Sequence, residues 1–182
     1  MTKTIAVLIG SLRKDSINRK FAKVLEKLGA DQFKFVELNI SDLPHYNDDL
    51  WANPPKSVTE MKEQVAAADA VLIVTPEYNR SFPGLIKNAL DWGTRPYGKN
   101  VWSEKPCAVT GTAGGAIGTA VGQAHLRLAA MNCNMIVMHQ PEVYLTWSDE
   151  VFAADGEVTN ESTKEFLQKF LKSFNSFITK VS

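Results

Sequence analysis

Cysteine is scarce in this chain of 182 residues, with only Cys107 and Cys133 present. Both sit in or beside apolar runs, which speaks for two buried thiols in a reducing compartment and against a disulfide-stapled scaffold. Net charge is absent as well, since 20 Lys and Arg balance 20 Asp and Glu. Without a basic tract or an acidic tail, no overall field favours nucleic acid, an anionic membrane or a strongly basic partner. Long hydrophobic runs are missing too. Lys3 followed by Ile5–Ile9 superficially imitates a secretory leader. The run stops at Gly10 and meets Arg13 and Lys14 with no small-residue cleavage pattern, so neither leader nor membrane span is expected, and the reading is cytoplasmic. His45, His125 and His139 lie far apart, without the paired spacing of a metal site.

Two common nucleotide signatures are also lacking. No G-x-G-x-x-G follows the first apolar run, which disfavours a dinucleotide laid across a Rossmann crevice. No G-x-x-x-x-G-K-[ST] is present, which disfavours a P-loop NTPase. A cysteine phosphatase would need a thiol at the start of the same turn, and none stands there.

Apolar runs alternating with helical spacing are what is present. Ile5–Ile9 reads as a buried strand, and Phe21, Val24, Leu25 and Leu28 as the inner face of a helix that Gly29 ends. Phe33–Leu38 carries Lys34 and Glu37 and fits an edge strand. Ser41–Pro55 is a long polar loop. Ser57-Val58-Thr59-Glu60 matches a capping box opening a helix. Ala70–Val74 is apolar on both faces, as a central parallel strand should be. Pro83 is placed to open the next helix, Pro106–Thr110 is a short fourth strand, and Val121, Ala124 and Leu128 mark another helix. Asn134–Met138 is a fifth strand. The tail holds a possible hairpin at Asp155-Gly156. A last helix follows from a capping box at Ser162, with a stripe from Phe166 and Leu167 to Phe177 and Ile178.

Five strands alternating with helices, in one domain over residues 1–182, predict a doubly wound α/β sandwich. Its parallel sheet should run in the order 2-1-3-4-5 with helices on both faces. Right-handed crossovers put the loops after every strand on one edge, where ligands bind. The three loops richest in polar groups and glycine follow strands one, three and four, which are neighbours in that order. The first, Gly10 to Asn18, offers hydroxyls, an amide and Arg13 ahead of a helix N-terminus, and suits a phosphate. Taken alone it could equally be helix capping, with Ser16 as N-cap. The second, Thr75 to Gly84, pairs a Pro-initiated turn with Tyr78, which could also simply pack. The third, Gly111 to Gly118, allows close backbone approach or close helix–sheet packing.

The motifs Gly10-Ser11-Leu12-Arg13-x-x-Ser16-x-Asn18 and Pro76-Glu77-Tyr78-Asn79-x-Ser81-x-Pro83-Gly84-x-x-Lys87-Asn88-Ala89-x-Asp91-Trp92 resemble those of the NAD(P)H-dependent FMN reductases. That family includes quinone, azo-dye and chromate reductases, and the resemblance implies a flavodoxin-like fold for the single domain. The resemblance implies that Ser11, Arg13, Ser16, Ile17 and Asn18 hold the FMN phosphate. Pro76, Glu77, Tyr78, Asn79 and Ser81 would flank the isoalloxazine, with Thr112, Ala113, Gly114 and Gly115 bordering its other side. It further implies NAD(P)H as co-substrate, a small-molecule electron acceptor, and a homodimer or homotetramer with flavin sites near the interface. Arg80 and Ala124 depart from the family pattern, and no catalytic side chain is implied. A flavodoxin-type electron carrier, binding FMN without NAD(P)H turnover, remains the alternative. His125 and Arg127 read as helix-surface or interface residues. Trp92, Trp102 and Trp147 are open to pocket, interface or packing roles, and the segments 41–55 and 95–104 could reach a partner or roof the flavin.

Overall fold

The computed structural model describes residues 2–153 and 155–182. Its sheet starts with β1 (Lys3–Ile9), whose last five residues are buried on both faces. β2 (Phe33–Glu37) pairs on one side of β1 and forms the sheet edge, as its interspersed charges predict. β3 (Ala70–Val74) pairs on the other side and is wholly buried. β4 (Pro106–Ala113) follows β3, and the two-residue β5 (Ile136–Val137) closes the order 2-1-3-4-5. All these pairings are parallel.

The sheet has one strand more than the hydrophobic pattern suggests. β6 (Tyr144–Thr146) runs parallel to the far half of β4, pairing Gly111 to Ala113, while β5 pairs only Pro106 and Cys107. β5 is thus shorter than Asn134–Met138, and β4 continues through Gly111–Ala113, which the sequence reading places in a loop. A three-residue strand carries too little periodicity to stand out in a sequence, and β4 can extend only because β6 supplies its ladder.

Two helices cover one face: α1 (Ile17–Leu28) and α5 (Glu161–Val181), packed over Ile5, Val7, Leu72 and Val74. Three cover the other: α2 (Lys56–Ala67), α3 (Gly84–Gly93) and α4 (Ala120–Asn132), over Ala6, Leu8, Val71 and Ile73. The stripe of α5 buries Leu167, Phe170, Leu171, Phe174 and Ile178 as expected.

Caps differ from the sequence reading in two helices. α2 begins after Pro55, without the Ser57 capping box. The Ser57 hydroxyl donates instead to the Asp42 carbonyl at 3.1 Å and pins the preceding loop. α5 is capped by Asn160, whose Oδ1 accepts from Thr163 N at 2.9 Å, so Ser162 lies inside the first turn. The tail does turn at Asp155-Gly156, with Phe152 and Val158 bridging antiparallel.

In α4 the stripe Val121–Ala124–Leu128 is not the buried one. Gly122, Gln123, Leu126 and Ala130 are the buried residues, and Leu128 is 67 % exposed. Arg127 departs from its surface assignment as well. Nη1 donates to Met138 O at 2.9 Å and Nη2 to Val109 O at 3.3 Å, which fastens α4 to the sheet.

Trp92 and Trp102 are fully buried packing residues, and Trp147 stacks on Phe152 at 4.6 Å. The segment after β2 folds back on its own chain. Tyr46 and Trp51 pack edge-on against Trp92, and Asn88 Nδ2 donates to Pro44 O at 2.9 Å. Both cysteines are buried and free, and burial pushes the Cys107 thiol up to about 12 and Cys133 up to about 11. Such thiols are inert at neutral pH.

Candidate functional site

β1, β3 and β4 end side by side, so the segments following them share one edge of the sheet. After β1, the hydroxyls of Ser11 and Ser16 are buried within an otherwise exposed loop. Ser11 Oγ accepts from Arg13 N at 3.4 Å. Ser16 caps α1, its Oγ accepting from Arg19 N at 3.3 Å. That cap serves only the third N–H of the helix. The N–H groups of Ile17 and Asn18 find no acceptor among the described residues, as the first turn of a helix requires of an anion site. Arg13 and Lys14 are exposed and make no ion pair among the described residues. The loop's one acid, Asp15, is exposed. The donor set therefore fits a phosphate: two free backbone N–H groups, two hydroxyls and an unpaired guanidinium.

The Asn18 side chain is engaged elsewhere. It is 1 % exposed, donates from Nδ2 to Thr112 O at 2.9 Å and accepts at Oδ1 from Thr112 N at 3.0 Å. The last backbone rung between β3 and β4 is Thr75 N to Thr110 O, at 2.8 Å. One rung further the chain after β3 has left the sheet, and the β3–β4 pairing ends at Val74 and Thr110. The Asn18 carboxamide takes the place of the missing strand and ties the phosphate-type loop to β4. What Asn18 offers an anion is its backbone N–H.

The segment after β3 is a tight two-residue turn. Tyr78 N donates to Ser81 O at 2.8 Å and Ser81 N to Tyr78 O at 3.0 Å, with Asn79 and Arg80 both left-handed at φ 51° and 64°. These are the signs of a type I′ turn, usual for Asn and unusual for Arg. Pro76 is buried, while Tyr78 and Asn79 are exposed on the rim. Glu77 is tied to α4: Oε2 accepts from Gly122 N at 2.9 Å, and Oε1 lies 3.4 Å from Arg80 Nη1. Ser81 Oγ and His125 Nδ1 are 3.3 Å apart.

After β4, Thr112 is buried and its Oγ1 donates to Leu145 O at 3.0 Å. Ala113 O accepts from Trp147 N at 2.8 Å, which leaves Thr112 and Ala113 as strand residues. Gly114 and Gly115 lie beyond, exposed, and a Cβ built on either would meet nothing within 4 Å. That open backbone admits a flat ligand.

The three segments are thus on one edge, joined by Asn18 and Glu77. Those two linking roles are not visible in the sequence, where both residues read only as ligand contacts. No local feature of the sequence signals either role, because each is a contact between segments far apart in the chain.

The family model described as NADPH-dependent FMN reductase matches residues 3–149. A 2-hydroxy-1,4-benzoquinone reductase from Burkholderia sp. is 43 % identical over 178 residues, covering 98 % of this chain and 97 % of that one. A quinone reductase of Pseudomonas putida is 42 % identical over 176 residues, covering 96 % and 94 %. Among solved structures, the flavoenzyme NAD(P)H:(acceptor) oxidoreductase FerB from Paracoccus denitrificans superposes with a TM-score of 0.97 at 54 % identity, covering 98 % of both chains. With the donor loop, the ring-type turn and the open glycines on the expected edge, this chain belongs to the NADPH-dependent FMN reductase family.

Proposed function

We propose that the chain, as one flavodoxin-like domain, binds a single FMN along this edge and reduces quinones and related small acceptors at the expense of NADH or NADPH. The observation that carries this is the donor set at α1: the unpaired N–H groups of Ile17 and Asn18 beside Ser11, Ser16 and Arg13. Bound FMN supplies the exchange of electron pairs between nicotinamide and acceptor. The chain's residues hold and orient. Arg13, the two serine hydroxyls and the α1 N–H groups take the phosphate. Pro76 to Asn79 with Ser81 form one wall of the ring site, and Thr112 to Gly115 border the other side. No side chain there is assigned a proton transfer. The backbone N–H groups at Gly114 and Gly115 are the chain's candidates for favouring negative charge on the reduced ligand.

Quinone acceptors are favoured by the relatives named 2-hydroxy-1,4-benzoquinone reductase and quinone reductase, at 43 % and 42 % identity. Azo dyes, chromate and free flavin are further acceptors for a panel. Reconstitution with FMN, followed by anaerobic mixing with NADH and with NADPH, tests the reading. Rapid bleaching of the flavin and turnover with 2-hydroxy-1,4-benzoquinone are expected. A protein that takes up no FMN refutes the assignment, and uptake without bleaching reduces it to an electron carrier.

A homodimer or homotetramer is part of the reading. α4 is apolar on two sides, and Leu128 and Met131 are 67 % and 54 % exposed on its outer one, a face suited to a second copy. Light scattering at two concentrations decides this. Among the described residues no helix is long and apolar enough to cross a membrane. The two free thiols add to a cytoplasmic assignment.

A further inference from the structure

We infer that Glu77 is a positioning residue: it clamps the turn Tyr78–Ser81 onto the N-terminus of α4, so that one wall of the ring site is set before any ligand arrives. The inference rests on the FMN-binding reading for what the clamp serves, and on contacts for the clamp itself.

α4 has no cap of its own, because the Thr119 hydroxyl accepts from the Gln123 side chain, at 2.8 Å, and from no backbone N–H of the helix. Glu77 supplies one from another segment of the chain. Its side chain is only 9 % exposed, and Oε2 receives the N–H of Gly122, the third residue of the helix, at 2.9 Å. A carboxylate at that position also meets the positive end of the helix dipole, and Arg80 adds a cation 3.4 Å from Oε1. Charge at Glu77 is therefore balanced on both oxygens.

Gly122 is what allows the approach. A Cβ there would stand 3.1 Å from Ser81 O and 3.3 Å from Glu77 Cγ, so the turn rests directly on the helix backbone. One turn along α4, His125 Nδ1 meets Ser81 Oγ at 3.3 Å and holds the other end. The turn needs such support, because its two central residues, Asn79 and Arg80, both have positive φ. Two contacts from α4 hold a segment of five residues that the sheet itself does not pair, and the Arg80–Glu77 contact braces it from within.

Removing the carboxylate should free the turn, whereas an amide keeps an acceptor oxygen for Gly122. The experiment compares Glu77→Ala, Glu77→Gln and wild type. Amide exchange is followed without FMN at Gly122 and residues 78–81, and FMN affinity is measured by fluorescence titration. Glu77→Ala is expected to lose protection at both places and to bind FMN about tenfold more weakly or worse, the effect of one charged hydrogen bond. Glu77→Gln is expected to keep most of the protection and to stay within about threefold of wild type. Should Glu77→Ala not fold, Gly122→Ala presses on the same turn from the helix side and carries the same two expectations as Glu77→Ala. Wild-type protection in the alanine variant overturns the clamp. Lost protection with unchanged FMN affinity overturns its positioning role. A wild-type protein that binds no FMN refutes the proposed function instead, and the exchange data still decide whether the clamp exists.

Discussion

Replacing Asn18 by Leu keeps the volume of a fully buried side chain and deletes both of its hydrogen bonds to Thr112. Thr112 is itself buried, and at this rung β3 has already turned away, so no neighbouring strand can take over its N–H or C=O. A buried backbone group left without a partner costs about 1–3 kcal/mol. Two such groups, partly relieved by relaxation of the loop, put the loss at about 2–4 kcal/mol. Urea unfolding of the apo protein followed by circular dichroism would read this as a lowered midpoint with an unchanged slope. Asn18→Asp should fall in the same range. Its carboxylate can accept from Thr112 N but has nothing to donate to Thr112 O. FMN affinity should drop in both variants, because the phosphate-type loop and β4 lose their common strut. A stability change below about 0.5 kcal/mol in Asn18→Leu would refute the reasoning, since that is the range of an ordinary surface substitution.

Arg13→Ala should weaken FMN binding by about 1.5–3 kcal/mol, the range for a hydrogen bond to a charged group, with stability unchanged; titration of the apo variant measures it. Gly111→Ala places a methyl group inside the radius of the Thr75 carbonyl oxygen, a backbone atom that cannot move aside. It should destabilise by about 2–3 kcal/mol in the same urea assay. Gly114→Ala meets open space, so it should leave stability within about 0.5 kcal/mol while FMN affinity falls. Lys62 donates to the carbonyls of Gly93, Arg95 and Lys99 and sits 5.5 Å over the Trp51 ring. Burial and the nearby Lys99 lower it from 10.5 to about 8. The folded state therefore carries the charged lysine at a penalty below pH 8 that is relieved as pH rises from about 8 towards 10.5, where only the unfolded chain stays protonated. The stability difference between wild type and Lys62→Met should accordingly move in favour of wild type between pH 7 and 9.5.

Much of the architecture is legible in the amino-acid sequence alone. Ile5–Ile9 and Ala70–Val74 could only be buried parallel strands, because five consecutive apolar residues leave no face for water. Lys34 and Glu37 mark the sheet edge for the same reason in reverse. Chain alternation and crossover handedness put the loops after the strands on one edge, and the order 2-1-3-4-5 makes three of them neighbours. The α1 cap is equally readable, since Ser16 capping is a local hydrogen bond between residues three apart.

Long-range pairing is not. β6 is three residues long, and only the free edge of β4 makes it a strand. α4 shows apolar residues on two sides, so periodicity alone picks out the outer stripe. Gly122 and Gln123, which periodicity discounts, are buried because the Tyr78–Ser81 turn packs on Gly122 and the Gln123 amide donates to Val143 O. In α2 the Ser57 hydroxyl goes to the Asp42 carbonyl instead of the helix, and in α5 Asn160 takes the Thr163 N–H, which starts the helix before Ser162. Asn18 and Glu77 show the division most clearly. In the sequence their residue types and spacing read as parts of a phosphate loop and a ring loop. That one side chain stands in for a missing strand and the other caps a helix 45 residues away depends on contacts that only the folded chain brings together.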